Sequence, residues 1–280
     1  MGIRSMGIAL VCVGMTGGVL AQEVSAALPN VEQLRQRAIA SYARTAEARE
    51  RYLCRETITS NELDGKGNVK KTERLERESF FVHGHQINQT LAKDGKPLSE
   101  GEQRKQAEMV RKEIEEAMKP GSKKHLEGEI RTAEFLKLSR LTNGRRVTVA
   151  GRPTIVFDAA GNEDTKANSI VARFVQAMAG TVSVDEQTGN AQDINMRGIK
   201  DVKVGGGLVA NVHKGFQLHV LIAPQPDGVW LLDRVYGSGD ARVGLFMHPS
   251  ARFEQKTEGC KLSNVTSDSV EKMKQGGLIQ

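Results

Sequence analysis

The side chains of this sequence with the clearest chemistry are its three cysteines, Cys12, Cys54 and Cys260. Cys12 lies in an N-terminal segment that has the features of a cleaved leader, so two cysteines are expected in the mature chain. They lie near the two ends of the folded part, in a compartment that permits disulfides. We predict that Cys54 and Cys260 form a disulfide. A metal site is disfavoured, because two lone cysteines without a CxxC motif or clustered histidines make a poor tetrahedral site.

The leader covers residues 1–21 and has the pattern of a secretory signal peptide. Arg4 provides an early positive charge, an apolar segment follows over residues 8–20, and the small residue Ala21 ends the cleavage site. The apolar segment is interrupted by glycines and is too short to span a bilayer stably, which disfavours a retained anchor. Lipid modification of Cys12 is also disfavoured, because Val11 stands where such a site needs a small residue. We therefore predict an exported protein, in the periplasm or otherwise secreted.

The other groups that could do chemistry favour structural roles. His83 and His85 have no carboxylate or cysteine close by in the sequence, and the step from His83 to Gly84 is typical of a turn. The glycine run 205–207 lacks the lysine of a phosphate-binding loop and predicts a turn or bulge between strands. Sequence motifs of serine hydrolases, zinc proteases and redox dithiols are absent. We predict no catalytic, cofactor-binding or metal-binding residue, and the protein is not expected to be an enzyme.

The charge pattern disfavours a nucleic-acid partner. The formal net charge is +6, but 40 basic residues are interspersed with 34 acidic ones, and basic runs end at pairs. Such a pattern is typical of a solvated, mildly basic surface. Hydrophobic residues make up 39% of the chain and charged residues 26%, which is ordinary for a soluble globular domain.

Residues 180–255 have the pattern of a series of strands. Apolar and polar residues alternate in runs separated by short turns, which predicts antiparallel neighbours. Gly237 to Gly239 is interpreted as one of these turns, and the run after it is expected to be the fifth strand. A curved sheet of this kind must bury its apolar face against helices that offer small contact residues, so we expect space for a ligand. The predicted lining of this cavity is Phe216, Leu218, Val220, Ile222, Val243 and Leu245.

Helices are predicted on both sides of the first strands. Asn30 and Gln33 form the pattern of a capping box before an apolar stripe that includes Ile39. Ser99 and Glu102 form a second capping box, followed by a strongly charged helix to residue 118. Its narrow apolar stripe, with Val110 and Ile114, predicts a mobile lid hinged at residues 120–121. Further helices are expected over residues 126–138 and 170–178, and hairpins around residues 64–67, 83–84 and 151.

Five short segments carry a resemblance to a known family: YLCRET at 52–57, FFVHG at 80–84, DGKPLS at 94–99, AGTVSVD at 179–185 and KVGGG at 203–207. The chain resembles the outer-membrane lipoprotein-sorting (LolA-like) superfamily over roughly residues 30–260, and in particular an uncharacterised acidobacterial-type branch. The resemblance implies an α+β fold, in which a curved antiparallel sheet forms an unclosed half-barrel with helices across its concave face. It also implies an apolar cavity that holds acyl chains.

The function expected from these observations is that of an exported, non-enzymatic carrier of a lipid, an acyl chain or a lipoprotein. The alternative is a periplasmic sensor or scaffold domain that binds a protein partner. A membrane-associated partner protein, a monomeric state and no cofactor are expected with the carrier. The expected organisation is a signal peptide at 1–21, a single domain at 22–260 and a flexible polar tail at 261–280.

Overall fold

The computed structural model of this chain describes residues 27–120, 132–167, 170–204, 210–239, 241–243 and 251–263. The predicted signal peptide, nearly all of the predicted tail, the glycine run 205–207 and Leu245 lie outside the described residues. The described helices are α1 (Val31–Arg44), α2 (Ala46–Glu50), α3 (Glu100–Ala117), α4 (Thr132–Leu138) and α5 (Ile170–Gln176). No helix among the described residues is long and apolar enough to cross a membrane.

The described strands follow the chain in this order: β1 (Tyr52–Leu63), β2 (Val69–Val82), β3 (His85–Lys93), β4 (Lys96–Pro97), β5 (Ser139–Val149), β6 (Arg152–Gly161), β7 (Met178–Asp185), β8 (Ala191–Gly198), β9 (Val202–Val204), β10 (Ala210–Val212), β11 (Gln217–Pro224), β12 (Trp230–Gly239), β13 (Ala241–Val243) and β14 (Ala251–Leu262).

Most of these strands form one large antiparallel sheet. Its eleven described strands have the order β4-β3-β2-β1-β14-β12-β11-β8-β7-β6-β5, and each pairs in antiparallel fashion with its neighbours. The sheet is curved but does not close into a barrel, because β4 and β5 remain at its two edges. The first described strand, β1, pairs with the last, β14, in the middle of the sheet. The predicted α+β half-barrel is confirmed.

The helices begin where the sequence provides caps. The Asn30 side chain accepts from the Gln33 backbone at 2.8 Å, and the Gln33 side chain accepts from the Asn30 backbone at 2.9 Å. Ser99 and Glu102 form the same reciprocal pair at the start of α3. Each box satisfies backbone donors that would otherwise have no partner in the first turn. Both predicted capping boxes are confirmed.

The main core lies between the concave face of β5–β8 and the helices α1, α4 and α5. Leu34 of α1 and Leu136 of α4 meet Val182 and Ile155 of the sheet, and these side chains are at most 1% exposed. Fully burying such an aliphatic side chain stabilises the fold by about 1.5–3 kcal/mol. This half of the sheet is therefore closed by the chain itself.

Two predicted element boundaries are wrong. Residues 237–239 are not a turn but the end of β12, where Gly237 lies directly opposite Phe253 of β14. A Cβ at Gly237 would lie 2.1 Å from a carbon of the Phe253 ring, so the glycine makes room for the ring within the sheet. The helix predicted to reach residue 178 ends at Gln176, and Met178 opens β7. In the first helix, Ile39 does not join the buried stripe and is 41% exposed.

The strand expected after β12 belongs to another sheet. β13 pairs with β10, and β10 pairs with β9, in a separate antiparallel sheet of three described strands. Gly239 has a φ of 129°, a conformation that favours glycine, and it lets the chain leave the main sheet at this point. Val202 of β9 and Val212 of β10 are buried in the main core.

Candidate functional site: the open part of the concave face

The predicted cavity lining divides into a closed part and an open part. Phe216 is 4% exposed and makes an edge-to-face contact with Phe174 of α5, with ring centroids 5.7 Å apart. It belongs to the closed core. Leu218, Val220 and Ile222 alternate along β11 and are half-buried beside that core. Val243 lies in β13, but the structure does not describe its side chain. Leu245 lies outside the described residues.

Strand pairing shows which further residues share the face of β11. Directly opposite residues of an antiparallel pair lie on the same side of the sheet. Val220 lies opposite Ile194 of the core on one side and Val235 on the other. Val235 in turn lies opposite Gln255 of β14, and Gln255 lies opposite Ile58 of β1. The face that carries the closed core therefore continues without a break into β12, β14, β1 and β2.

We call the apolar residues of this continuation the open strip: Leu218, Val220, Ile222, Val235, Phe253, Ile58 and Leu75. All are intermediate in exposure, whereas their counterparts under the helices, Val182 and Val184, are fully buried. The last four members were not named from the sequence. The register across β12, β14, β1 and β2 brings them together on one face.

A buried polar cluster forms the end of the open strip on β1 and β2. Glu56 is 3% exposed and accepts three hydrogen bonds: from Arg77 Nε at 2.6 Å, from Ser79 Oγ at 2.9 Å and from Gln255 Nε2 at 3.0 Å. These donors compensate the cost of removing a carboxylate from water. Glu56 lies on the same face as Ile58, two residues away. The concave face thus changes from hydrocarbon to hydrogen-bonding groups at this cluster.

The predicted disulfide is present next to the polar cluster. Cys54 and Cys260 lie directly opposite each other in β1 and β14, with their Cα atoms 4.1 Å apart and a bond between the sulfurs. Tyr52, two residues earlier, donates to Asp227 Oδ1 at 2.9 Å. Burial, with a smaller contribution from this hydrogen bond, raises the pKa of Tyr52 to about 12. The disulfide links β1 to β14, and this hydrogen bond links β1 to the turn between β11 and β12.

The predicted lid residues pack against the other face of the sheet. Val110 and Ile114 of α3 are buried against Leu53, Phe80 and Ile87. Leu53 precedes Cys54 along β1, and successive strand residues point to opposite faces. In this conformation α3 therefore covers the back of β1–β3, while the predicted lining lies on the concave side.

A surface hollow lies where α1, β5, β6 and the turn after β7 meet. It is lined by Arg37, Arg146, Pro153, Glu186 and Gln187. Arg146 donates to both carboxylate oxygens of Glu186 at 2.7 and 2.8 Å, and this hydrogen bonding is the main cause of the lowered pKa of Glu186. Arg37 donates to the Glu186 carbonyl oxygen. These contacts join α1 and β5 to the turn after β7, which is a structural role.

Metal chemistry has no support from the residues described. Among them, His, Cys, Asp and Glu form no group of three or more that could hold a metal ion. His83 and His85 lie at the turn between β2 and β3, where His83 has a positive φ of 47°. The turn predicted there is confirmed.

Comparison with known proteins returns distant structural likenesses. No family model matches the chain, and no curated protein does. An outer membrane lipoprotein-sorting protein domain from Vibrio parahaemolyticus is 10% identical, with a TM-score of 0.40 over 88% of this chain and 100% of that chain. A LolA superfamily protein from Nitrosomonas europaea is 8% identical, with a TM-score of 0.35 over 86% and 96%. A DUF1329 family protein from Desulfovibrio piger is 9% identical, with a TM-score of 0.39 over 85% and 95%.

These names agree with the superfamily that the sequence resembles, whereas the acidobacterial-type branch stays a prediction. Identities and TM-scores as low as these assign neither a family nor a function to this chain. The chain is similar to two solved proteins, one described as an outer membrane lipoprotein-sorting protein domain and the other as a LolA superfamily protein.

Proposed function

We propose that this protein is an exported, non-enzymatic carrier that binds an acyl chain, free or attached to a lipid or lipoprotein, against the open strip. The mature protein would act as a monomer in the periplasm or a similar compartment. It would pass its cargo to a membrane-associated partner. The observation that carries the proposal is that the face of the closed core continues into a strip of half-buried apolar residues, with Gln255 as the polar residue between Val235 and Ile58.

The strip has the chemistry that a hydrocarbon ligand needs. Its side chains are aliphatic apart from Phe253, and the closed core lies directly beside it at Ile194. An apolar surface of this kind gains about 0.8 kcal/mol for each methylene that it removes from water. A chain of a dozen carbons would therefore retain useful affinity after the cost of association and ordering. The opposite face of the same strands carries polar groups such as Asp193, His219 and Glu254, which gives a hydrocarbon no comparable surface.

Titration with a fluorescent fatty-acyl probe tests the proposal. Val220→Glu places a carboxylate in the middle of the strip and should weaken binding about tenfold or more, because the charge must be desolvated by the bound chain. Leu221→Glu is the matched control, since Leu221 is also half-buried on β11 but points to the opposite face. It should leave the affinity unchanged. Thermal unfolding of both variants checks that the fold is retained.

Two results would count against the carrier. One is the absence of saturable uptake of any acyl or lipopeptide probe by the wild-type protein. The other is equal weakening by Val220→Glu and Leu221→Glu. A scaffold that binds a protein partner would then be the better account of the half-barrel.

A further inference from the structure

Arg77 is the cation that β2 places at the polar end of the open strip. It lies two residues from Leu75 on the same face, directly opposite Glu56. Its side chain is 20% exposed, and its Nε donates to Glu56. Among the contacts of the described residues, Arg77 uses Nε alone. The guanidinium edge formed by Nη1 and Nη2 therefore remains able to bind a second acceptor.

Glu56 fixes the orientation of this guanidinium. The carboxylate is itself held by Ser79 and Gln255, so the ion pair is part of a network that joins β14, β1 and β2. An ion pair with a purely structural role would explain the bond between Arg77 Nε and Glu56. Such an ion pair leaves the edge formed by Nη1 and Nη2 unused, and this edge has the geometry to bind both oxygens of another carboxylate.

The distance along the strip suits a long hydrocarbon chain. Four strand spacings separate β2 from β11 in the sheet order, or about 19 Å. The row over this distance runs through Leu75, Ile58, Gln255, Val235 and Val220. It is apolar except at Gln255 of β14, whose side chain donates to Glu56, and Phe253 lies two residues from Gln255 on the same face. A chain lying on this path has its tail beside the closed core and its head beside Arg77.

We propose that Arg77 binds the carboxylate of a long-chain fatty acid whose hydrocarbon chain lies along the open strip. Glu56 is a positioning residue, because it holds the guanidinium and does not contact the ligand. The proposal rests on the proposed acyl-binding function and gives the ligand a chemical class and a direction. An acceptor that the fork can engage with two hydrogen bonds should bind more tightly than a neutral ester of the same chain.

The experiment compares palmitate with methyl palmitate as competitors of one apolar fluorescent probe. In the wild-type protein, palmitate should displace the probe at a concentration roughly ten times lower than the ester, since hydrogen bonds between charged groups are the stronger kind. In the double variant Glu56→Gln with Arg77→Gln, the affinity for the acid should fall to that for the ester. The double change avoids leaving a buried carboxylate without its cation.

Two further variants keep the test decisive if the double variant does not fold. Arg77→Lys retains the charge but loses the fork, and it should reduce the preference for the acid. Arg74→Gln is the matched control, because Arg74 lies on the opposite face of β2, where it pairs with Glu76. It should retain the full preference.

The outcomes separate this inference from the function on which it rests. Equal affinity of the wild-type protein for acid and ester overturns the role of Arg77 and leaves acyl binding standing. A preference for the acid over the ester that is undiminished in the Arg77 variants also overturns the role of Arg77 and leaves acyl binding standing. Displacement by neither competitor overturns the carrier function, and the head-group site with it.

Discussion

Removal of the Cys54–Cys260 disulfide should lower the free energy of unfolding by several kcal/mol without changing the native fold. The bond closes a loop with a sequence separation of 206 residues. For a loop of that size, the chain-entropy model gives a stabilisation of about 5 kcal/mol at 25 °C. The native pairing of β1 with β14 extends from Tyr52 to Glu62, well beyond the cysteines, so the strands should stay together in the reduced protein. The effect therefore arises mainly in the unfolded state.

The assay is urea unfolding of the wild-type protein with and without a reductant, followed by the fluorescence of Trp230. This is the only tryptophan, it is 7% exposed, and it should report the loss of the core around β12. Reduction should lower the urea concentration at the unfolding midpoint. It should also make the free energy of unfolding depend more steeply on urea concentration, because an unfolded chain without the cross-link is more expanded. The double variant Cys54→Ala with Cys260→Ala should match the reduced protein and should not respond to the reductant.

A loss smaller than about 1 kcal/mol would refute this reasoning, because it would mean that the cross-link hardly restricts the unfolded chain. Two titratable thiols in protein purified from an oxidising compartment would refute the bond itself.

Three more results are expected. Gly237→Ala should destabilise the fold by roughly 1–3 kcal/mol, because the added methyl group overpacks against the Phe253 ring. Gly259→Ala should be nearly neutral, because a Cβ at Gly259 meets open space. Equal urea midpoints of the two variants would contradict this. Burial raises the pKa of Asp185, but hydrogen bonds, chiefly from Arg152, outweigh it and hold the pKa below its ordinary value of 3.8. The ionised carboxylate of Asp185 therefore stabilises the fold above pH 3.8, and this stabilisation is lost as the pH falls through the lower pKa of the folded state. The destabilisation caused by Asp185→Asn should shrink below about pH 4. A stability difference between the two proteins that does not depend on pH would count against this assignment. Hydrogen exchange should be faster in α3 than in β7, because α3 rests on a small cluster at one side of the sheet; equal protection would argue against a mobile segment.

The features that the sequence predicts well are those with local causes. Capping boxes depend on two side chains three residues apart, as at Asn30 and Ser99, and the structure has both. Alternation along β11 identified Leu218 and Val220 as residues of one face. The cysteine pair could be predicted because export leaves few alternatives, and it also implied that the first and last strands are close.

The features that sequence reasoning missed depend on pairing between distant strands. Ile58 and Phe253 join Val220 only because β12 pairs with β14 and β14 with β1. The interpretation of Gly237 as a turn failed because the glycine accommodates an aromatic ring of β14, which pairs with β12 although β13 lies between them in the sequence. The position of α3 on the back of β1–β3 could not be predicted, because its narrow stripe fits either face.

Photo-labelling with a fatty acid that carries a diazirine near its tail tests the central claim most directly. The probe is irradiated with the wild-type protein, and the labelled residues are mapped by mass spectrometry. The account predicts saturable labelling of the open strip, at Leu218, Val220, Val235 or Phe253, which excess palmitate suppresses. Labelling confined to the opposite face of these strands, or labelling that palmitate does not suppress, would contradict acyl binding on the concave face.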